Sequence, residues 1–144
     1  MNQPTHAAMQ VIGTQITDLT LHNDFLNLPA DCARNIHVDY HIDDIVPADN
    51  EGKESNSLLT VGHMTLAVEN CTADGKKFSL HLSVDAGFFF NGTDTEAFSS
   101  LAKNNGAAIL YSLARGYVAG ITAQCMNGSA ISLPVLNFTN VSKE

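Results

Sequence analysis

The sequence predicts an α+β domain, in which a four-stranded antiparallel sheet is followed by two helices packed on one of its faces. Two observations carry this. Up to Phe90, apolar residues recur at alternate positions in four separate runs, and after Asp94 they recur at steps of three and four. A strand run that alternates in this way has one wet face and one covered face, the usual state of an antiparallel sheet with helices on one side.

Residues 9–22 form the first expected strand, with Leu19 and Leu21 opposite Asp18, Thr20 and His22 and an irregularity near Gly13. Residues 23–35 contain Pro29 and small polar residues, the composition of a connection, although Phe25, Leu26 and Leu28 make it unusually apolar. Residues 36–42 alternate cleanly, with Ile36, Val38, Tyr40 and Ile42 on one face and His37, Asp39, His41 and the following Asp43 on the other. Residues 47–57 have the composition of an exposed loop. The third strand, 58–71, carries Met64, Leu66 and Val68 on one face, with a change of phase expected around Gly62-His63. Asp74-Gly75 is the strongest hairpin signal in the chain. The fourth strand, 78–90, sends Phe78, Leu80, Leu82, Val84, Ala86, Phe88 and Phe90 inward.

Thr93-Asp94-Thr95-Glu96 fits a capping box, in which a hydroxyl and a carboxylate three residues apart satisfy orphaned amides at a helix start. The first helix is expected to end near Asn104-Asn105-Gly106, and the second to run from about 107 to 126 with Leu110, Leu113, Ala114, Tyr117 and Ile121 on one face. Asn127-Gly128 closes it, and residues 131–138 form a last apolar, strand-like segment.

At 144 residues and 44% hydrophobic, the chain is one domain long and can bury a core without disulfide or metal support. Its formal charge of -8 disfavours phosphate backbones and anionic membrane surfaces, so neither nucleic acid nor membrane is expected as a partner. The first residues have neither a basic nor an apolar leader region, which predicts a cytoplasmic protein. Cys32, Cys71 and Cys125 match no zinc spacing and are expected as free thiols. The apolar stretch 105–126 is interrupted by Ser112, Arg115 and Gln124, which favours a soluble helix.

His37-x-Asp39-x-His41 puts three potential ligands on one strand face, with His22, His63 and His81 able to add a fourth. Two-residue steps spread Cβ atoms by about 7 Å, and a half-wet sheet explains the same residues, so no metal is expected. No serine sits in a nucleophile elbow, no cysteine has a nucleophile's context and no glycine-rich phosphate loop occurs, so neither catalysis nor a cofactor is expected. The apolar excess points elsewhere. Phe25, Leu26 and Leu28 on the connection, with Phe88-Phe89-Phe90 on the sheet, can build a groove for other apolar segments.

The order Ile109-Leu110-Tyr111, Ala114-Arg115, Leu133-Pro134 and Asn137-Phe138, together with Thr17-Asp18-Leu19-Thr20-Leu21, resembles the SecB family of protein-export chaperones over residues 9–138. The chain is similar to that family as a divergent, shortened member, without its last helix and acidic tail. The resemblance implies a Greek-key crossover between strands one and two, formed by residues 23–35. It also implies an ATP-independent holdase that keeps unfolded preproteins competent for export by the Sec translocase, assembled as a homotetramer, a dimer of dimers. Clients would meet Phe25, Leu26, Leu28, Tyr40, Phe88, Phe89, Phe90, Leu113 and Tyr117. Ala97, Phe98 and Leu101 would pack between dimers, and Asp18, Asp39, Asp43 and Asp85 on the polar sheet face would dock the SecA motor. Some relatives serve antitoxins of toxin-antitoxin modules, which is the alternative role. A small-ligand carrier or enzyme on the same scaffold is the alternative from a different class.

Overall fold

A computed structural model describes residues 9–48, 56–126 and 130–136. Its elements are β1 (Met9–Asn23), β2 (Ala33–Ile42), β3 (Val46–Pro47), β4 (Ser57–Cys71), β5 (Lys77–Asn91) and α1 (Thr95–Cys125). The long strands lie in the order β1-β5-β4-β2, all antiparallel, and β3 adds a two-residue extension beside β4. The sheet therefore has five strands where the alternation predicts four. Val46–Pro47 is too short to show a period, and its proline sits on an edge, where a missing N–H costs nothing. The connection from β1 to β2 crosses from one sheet edge to the other, the expected Greek key.

The core forms between the sheet and α1. On β4 burial alternates without a break from Leu58 to Asn70, so the phase change expected at Gly62-His63 does not occur. Gly62 stays in phase and supplies space: a Cβ there would lie 2.7 Å from the Phe88 ring and 2.8 Å from the Tyr40 hydroxyl. On β5 every second side chain from Phe78 to Phe90 is buried. β1 carries two bulges, between Val11 and Gly13 and between Ile16 and Asp18, of which only the first has a sequence signal.

The two expected helices are one helix of 31 residues. Asn104-Asn105-Gly106 looks like a stop signal, but Gly106 is buried inside α1 and is there for close approach. The cap is Asp94, whose carboxylate accepts the Ala97 N–H at 3.1 Å, one residue later than a Thr93 cap. Every fourth residue of α1, Phe98, Ala102, Gly106, Leu110, Ala114, Val118 and Thr122, is buried, forming a single ridge against the sheet. Leu113, Tyr117, Ile121 and Cys125 flank it as a half-buried row packed on the core.

Residues 130–136 make no strand. They form a strap along α1, held by Ile131 N–H donating to Thr122 Oγ1 (2.8 Å), Tyr111 Oη to Pro134 O (2.6 Å) and Arg115 Nε to Leu133 O (3.0 Å). Ile131 and Leu133 complete the core. The expected helix stop at Asn127-Gly128 and the segment end at Phe138 lie outside the described residues. Among those residues no helix is long and apolar enough to cross a membrane.

Asp24 ties the start of the crossover to β5. Its Oδ2 accepts the Lys77 N–H at 3.0 Å, its own N–H donates to Lys77 O at 3.0 Å, and Oδ1 faces His22 Nε2 at 2.7 Å. The Lys77 amide, then His22, hold the Asp24 carboxyl below its ordinary value of 3.8. A carboxyl depressed in the folded state adds stability above its unfolded pKa and loses it as pH falls through the folded one. Wild-type stability is therefore expected to fall more steeply than that of Asp24→Asn below about pH 3.8, measured as urea midpoint against pH. Identical slopes would remove Asp24 from this role.

Candidate polypeptide-binding surface

Among the described residues, β1 is the long strand left uncovered. Every residue from Gln10 to His22 is exposed, and among the described residues β1 pairs only with β5, so no described strand pairs with the backbone groups of its outer edge. Its register places Val11, Ile16, Leu19 and Leu21 on the helix side, opposite Phe88, Val84, Leu82 and Leu80. Those β5 partners are buried, yet the β1 residues are exposed by between 36% (Leu21) and 45% (Leu19), because α1 lies over the centre of the sheet and not its edge. The result is an apolar strip in line with the core, next to a free strand edge.

The crossover contributes unevenly. Phe25 is buried and Leu28 packs on the core, while Leu26 between them is 72% exposed. Asn23 fixes this corner, accepting the Phe25 N–H through Oδ1 (2.9 Å) and donating through Nδ2 to Phe25 O (2.8 Å) and Cys125 O (3.3 Å). Leu26 is thus an apolar tip on an anchored loop. Of the other residues expected to meet a client, Phe88 and Phe90 are buried. Tyr40 is half-buried, donates its hydroxyl to Ala102 O at 2.5 Å, and has its phenol pushed well above the usual range by burial. Phe89 lies half-buried on the opposite sheet face, and Leu113 and Tyr117 sit in the half-buried row of α1. The nine therefore do not converge on one groove. Phe98, expected between dimers, is buried and stacked on Phe90 with centroids 5.1 Å apart, which leaves Ala97 and Leu101 as the half-exposed members of that set.

The sheet face away from α1 holds a concavity of about 590 Å³, lined by Ile12, Val46, Leu59, Thr60, Val61 and Gly87 together with Asp43 and Asp44. Ile12 is the residue extruded by the first β1 bulge and covers Gly87, where a Cβ would sit 3.1 Å away. Bulge and groove have no sequence signal beyond Gly13 itself.

Beside this groove the acids of the polar face are largely engaged. His63 on β4 bridges two of them, Nε2 to Asp43 Oδ1 at 2.9 Å and Nδ1 to Asp85 Oδ1 at 2.8 Å. The Asp43 hydrogen bond, then that of Asp85, raises His63 above the ordinary imidazole value against the opposing effect of partial burial. His37 pairs with Asp39 at 2.8 Å. Asp18 is exposed and stands opposite Ser83 on the same face. The four acids share one face, as the strand phases predict, but three of them are paired with histidines.

No family model and no curated protein matches the sequence. Among solved structures, the fold is similar to the SecB-like chaperone Rv1957 of Mycobacterium tuberculosis, determined in complex with a ChAD peptide from the Rv1956 HigA1 antitoxin. The TM-score is 0.64 at 14% identity, over 90% of this chain and 91% of that one. The fold is SecB-like.

Proposed function

We propose that this chain is an ATP-independent holdase chaperone that captures extended apolar segments of unfolded polypeptides, working in the cytoplasm and without catalysis. The observation that supports the reading is β1, a 15-residue edge strand exposed on both faces, with an apolar strip on the side of the core. An exposed edge of this kind is an invitation to strand addition, where main-chain hydrogen bonds supply affinity and apolar pockets accept many sequences. Covering one half-exposed Leu, Ile or Val recovers on the order of 1 kcal/mol, and hydrophobic contact is non-directional, so binding along the strip is broad. The same surface chemistry suits assembly with further copies, and the proposed assembly is a dimer of dimers.

Export of precursors through the Sec translocase is the role carried by the sequence resemblance. In that role docking on SecA would rest mainly on Asp18, since His63 engages Asp43 and Asp85 and His37 engages Asp39. A dedicated antitoxin chaperone is the second reading, favoured by the antitoxin peptide bound to a protein of similar fold. Purified protein at stoichiometric excess over a chemically unfolded substrate is expected to suppress light scattering from aggregation without added nucleotide. Unchanged aggregation, or a clean monomer by multi-angle light scattering, would overturn the proposal. Co-purification separates the two roles, with precursors and SecA recovered in one case and a single antitoxin in the other.

A further inference from the structure

The geometry points to a divalent transition-metal site of the zinc class on the sheet face away from α1, formed by His41, Asp43 and His63 and oriented by Asp85. The sequence offers His37-x-Asp39-x-His41 along one strand, too widely spread for a compact site. The register changes the partners. His41 on β2 stands directly opposite His63 on β4, and their rings stack with centroids 4.9 Å apart and planes 25° from parallel. Asp43 leaves the end of β2 but keeps the ladder, donating its N–H to Val61 O at 2.9 Å, so its carboxylate returns to the same face as His63.

One ligand atom from each of His41, Asp43 and His63 lies within 4.8 Å of the other two. Tetrahedral zinc with bonds of 2.0–2.1 Å needs donor atoms about 3.3 Å apart. Asp43 Oδ1 and His63 Nε2, at 2.9 Å, already meet that spacing closely. His41 is exposed, so its side chain can rotate the remaining distance. Capture of an ion replaces the Asp43–His63 hydrogen bond by two bonds to the metal, and the proton between them leaves to solvent. Asp85 has a separate role. It accepts from His63 Nδ1 at 2.8 Å, which directs Nε2 at the metal in the carboxylate–histidine arrangement that supports many metal ligands. Two imidazoles and one carboxylate select a borderline ion such as Zn²⁺ or Co²⁺ over Mg²⁺ or Ca²⁺, which prefer all-oxygen shells. Three protein ligands leave coordination positions for water or for a donor atom from a bound partner, and Asp43 places them beside the groove that it helps to line.

The test is titration of untagged protein, stripped with a chelator, with ZnCl₂ by calorimetry and with CoCl₂ by visible absorption. One equivalent per chain is expected, with Co²⁺ bands shifted from those of the aqueous ion. His63→Ala should abolish binding, and His41→Ala, an exposed change that leaves the fold intact, should weaken it at least tenfold. Asp85→Asn, which touches no metal, should weaken it by about 10–100-fold. His37→Ala should leave it unchanged. Absence of stoichiometric binding, or equal loss in His37→Ala and His41→Ala, would overturn the site. Neither outcome depends on whether the chain acts as a chaperone.

Discussion

Gly106→Ala is expected to lower the stability of this protein, although alanine is the better helix former by about 1 kcal/mol. Gly106 sits in the middle of α1, where that preference alone would make the change favourable. The opposing effect is contact. A Cβ at 106 would stand 2.5 Å from Tyr40 Oη and 2.9 Å from the Phe88 ring. Neither neighbour can retreat at low cost, since Tyr40 Oη is committed to Ala102 O at 2.5 Å and Phe88 is buried against Gly62, whose own missing Cβ makes room for the same ring. Overpacking of this kind costs about 1–3 kcal/mol, and losing the Tyr40 hydrogen bond adds about 1. The net expectation is a loss on the order of 2 kcal/mol, or roughly 5–10 °C in Tm for a chain of this size. Gly120→Ala is the control. Among the described residues no side chain or other element lies within 4 Å of its Cβ position, so it should be neutral or stabilising. Tyr40→Phe removes the clashing oxygen, so the double variant Tyr40→Phe/Gly106→Ala should lose less than the sum of the two single changes, by about 1 kcal/mol in a double-mutant cycle. Strict additivity would mean that Gly106 and Tyr40 do not share one socket.

That socket also explains where sequence reading reaches and where it stops. Three of the four long strands, β2, β4 and β5, are legible because each turns one face toward the core, which imposes a period of two that no neighbour can disguise; the expected strand 78–90 lies within one residue of the observed Lys77–Asn91 at each end. Gly62 and Gly106 mislead for a common reason. A glycine in a strand or helix pattern looks like a break when only local propensity is considered, and both glycines answer to Tyr40 and Phe88, which are distant in sequence. The same limit applies to the sites. Alternation places Leu19 and Leu21 on one face correctly, but it does not say whether a helix covers that face, and α1 lies over the centre of the sheet and leaves β1 at the edge exposed. His41 is visible in the sequence as a histidine on an outward position, and His63 only as a histidine beside an expected change of phase. Only the antiparallel register, which pairs position 41 with 63 and 63 with 85, brings Asp43, His63 and Asp85 together.

Leu19→Lys should remove most of the proposed client binding while leaving the fold nearly unchanged. Leu19 is 45% exposed, and a lysine can lay its aliphatic stem along the same strip with its ammonium in water, so the chain itself loses little. For an incoming segment the balance differs. The apolar contact worth on the order of 1 kcal/mol is gone, and a charge must be desolvated or displaced for the strand to dock, so the total exceeds about 1.4 kcal/mol and the required chaperone concentration rises roughly tenfold or more. Inward-pointing lysines are the device by which natural edge strands avoid pairing, which is the reason for choosing this residue over alanine. Suppression of aggregation and mass by light scattering are measured on the same preparation, with Tm as the check on folding. Lost suppression at unchanged mass means that the strip holds clients directly, and lost suppression with a lower mass means that it holds a second copy whose presence completes the binding surface. Both results keep β1 as the polypeptide-docking edge. Full suppression at wild-type mass would show that the strip serves neither purpose, and client binding would then fall to other exposed apolar surface, such as Leu26, Val135 or the groove around Val61 on the opposite face.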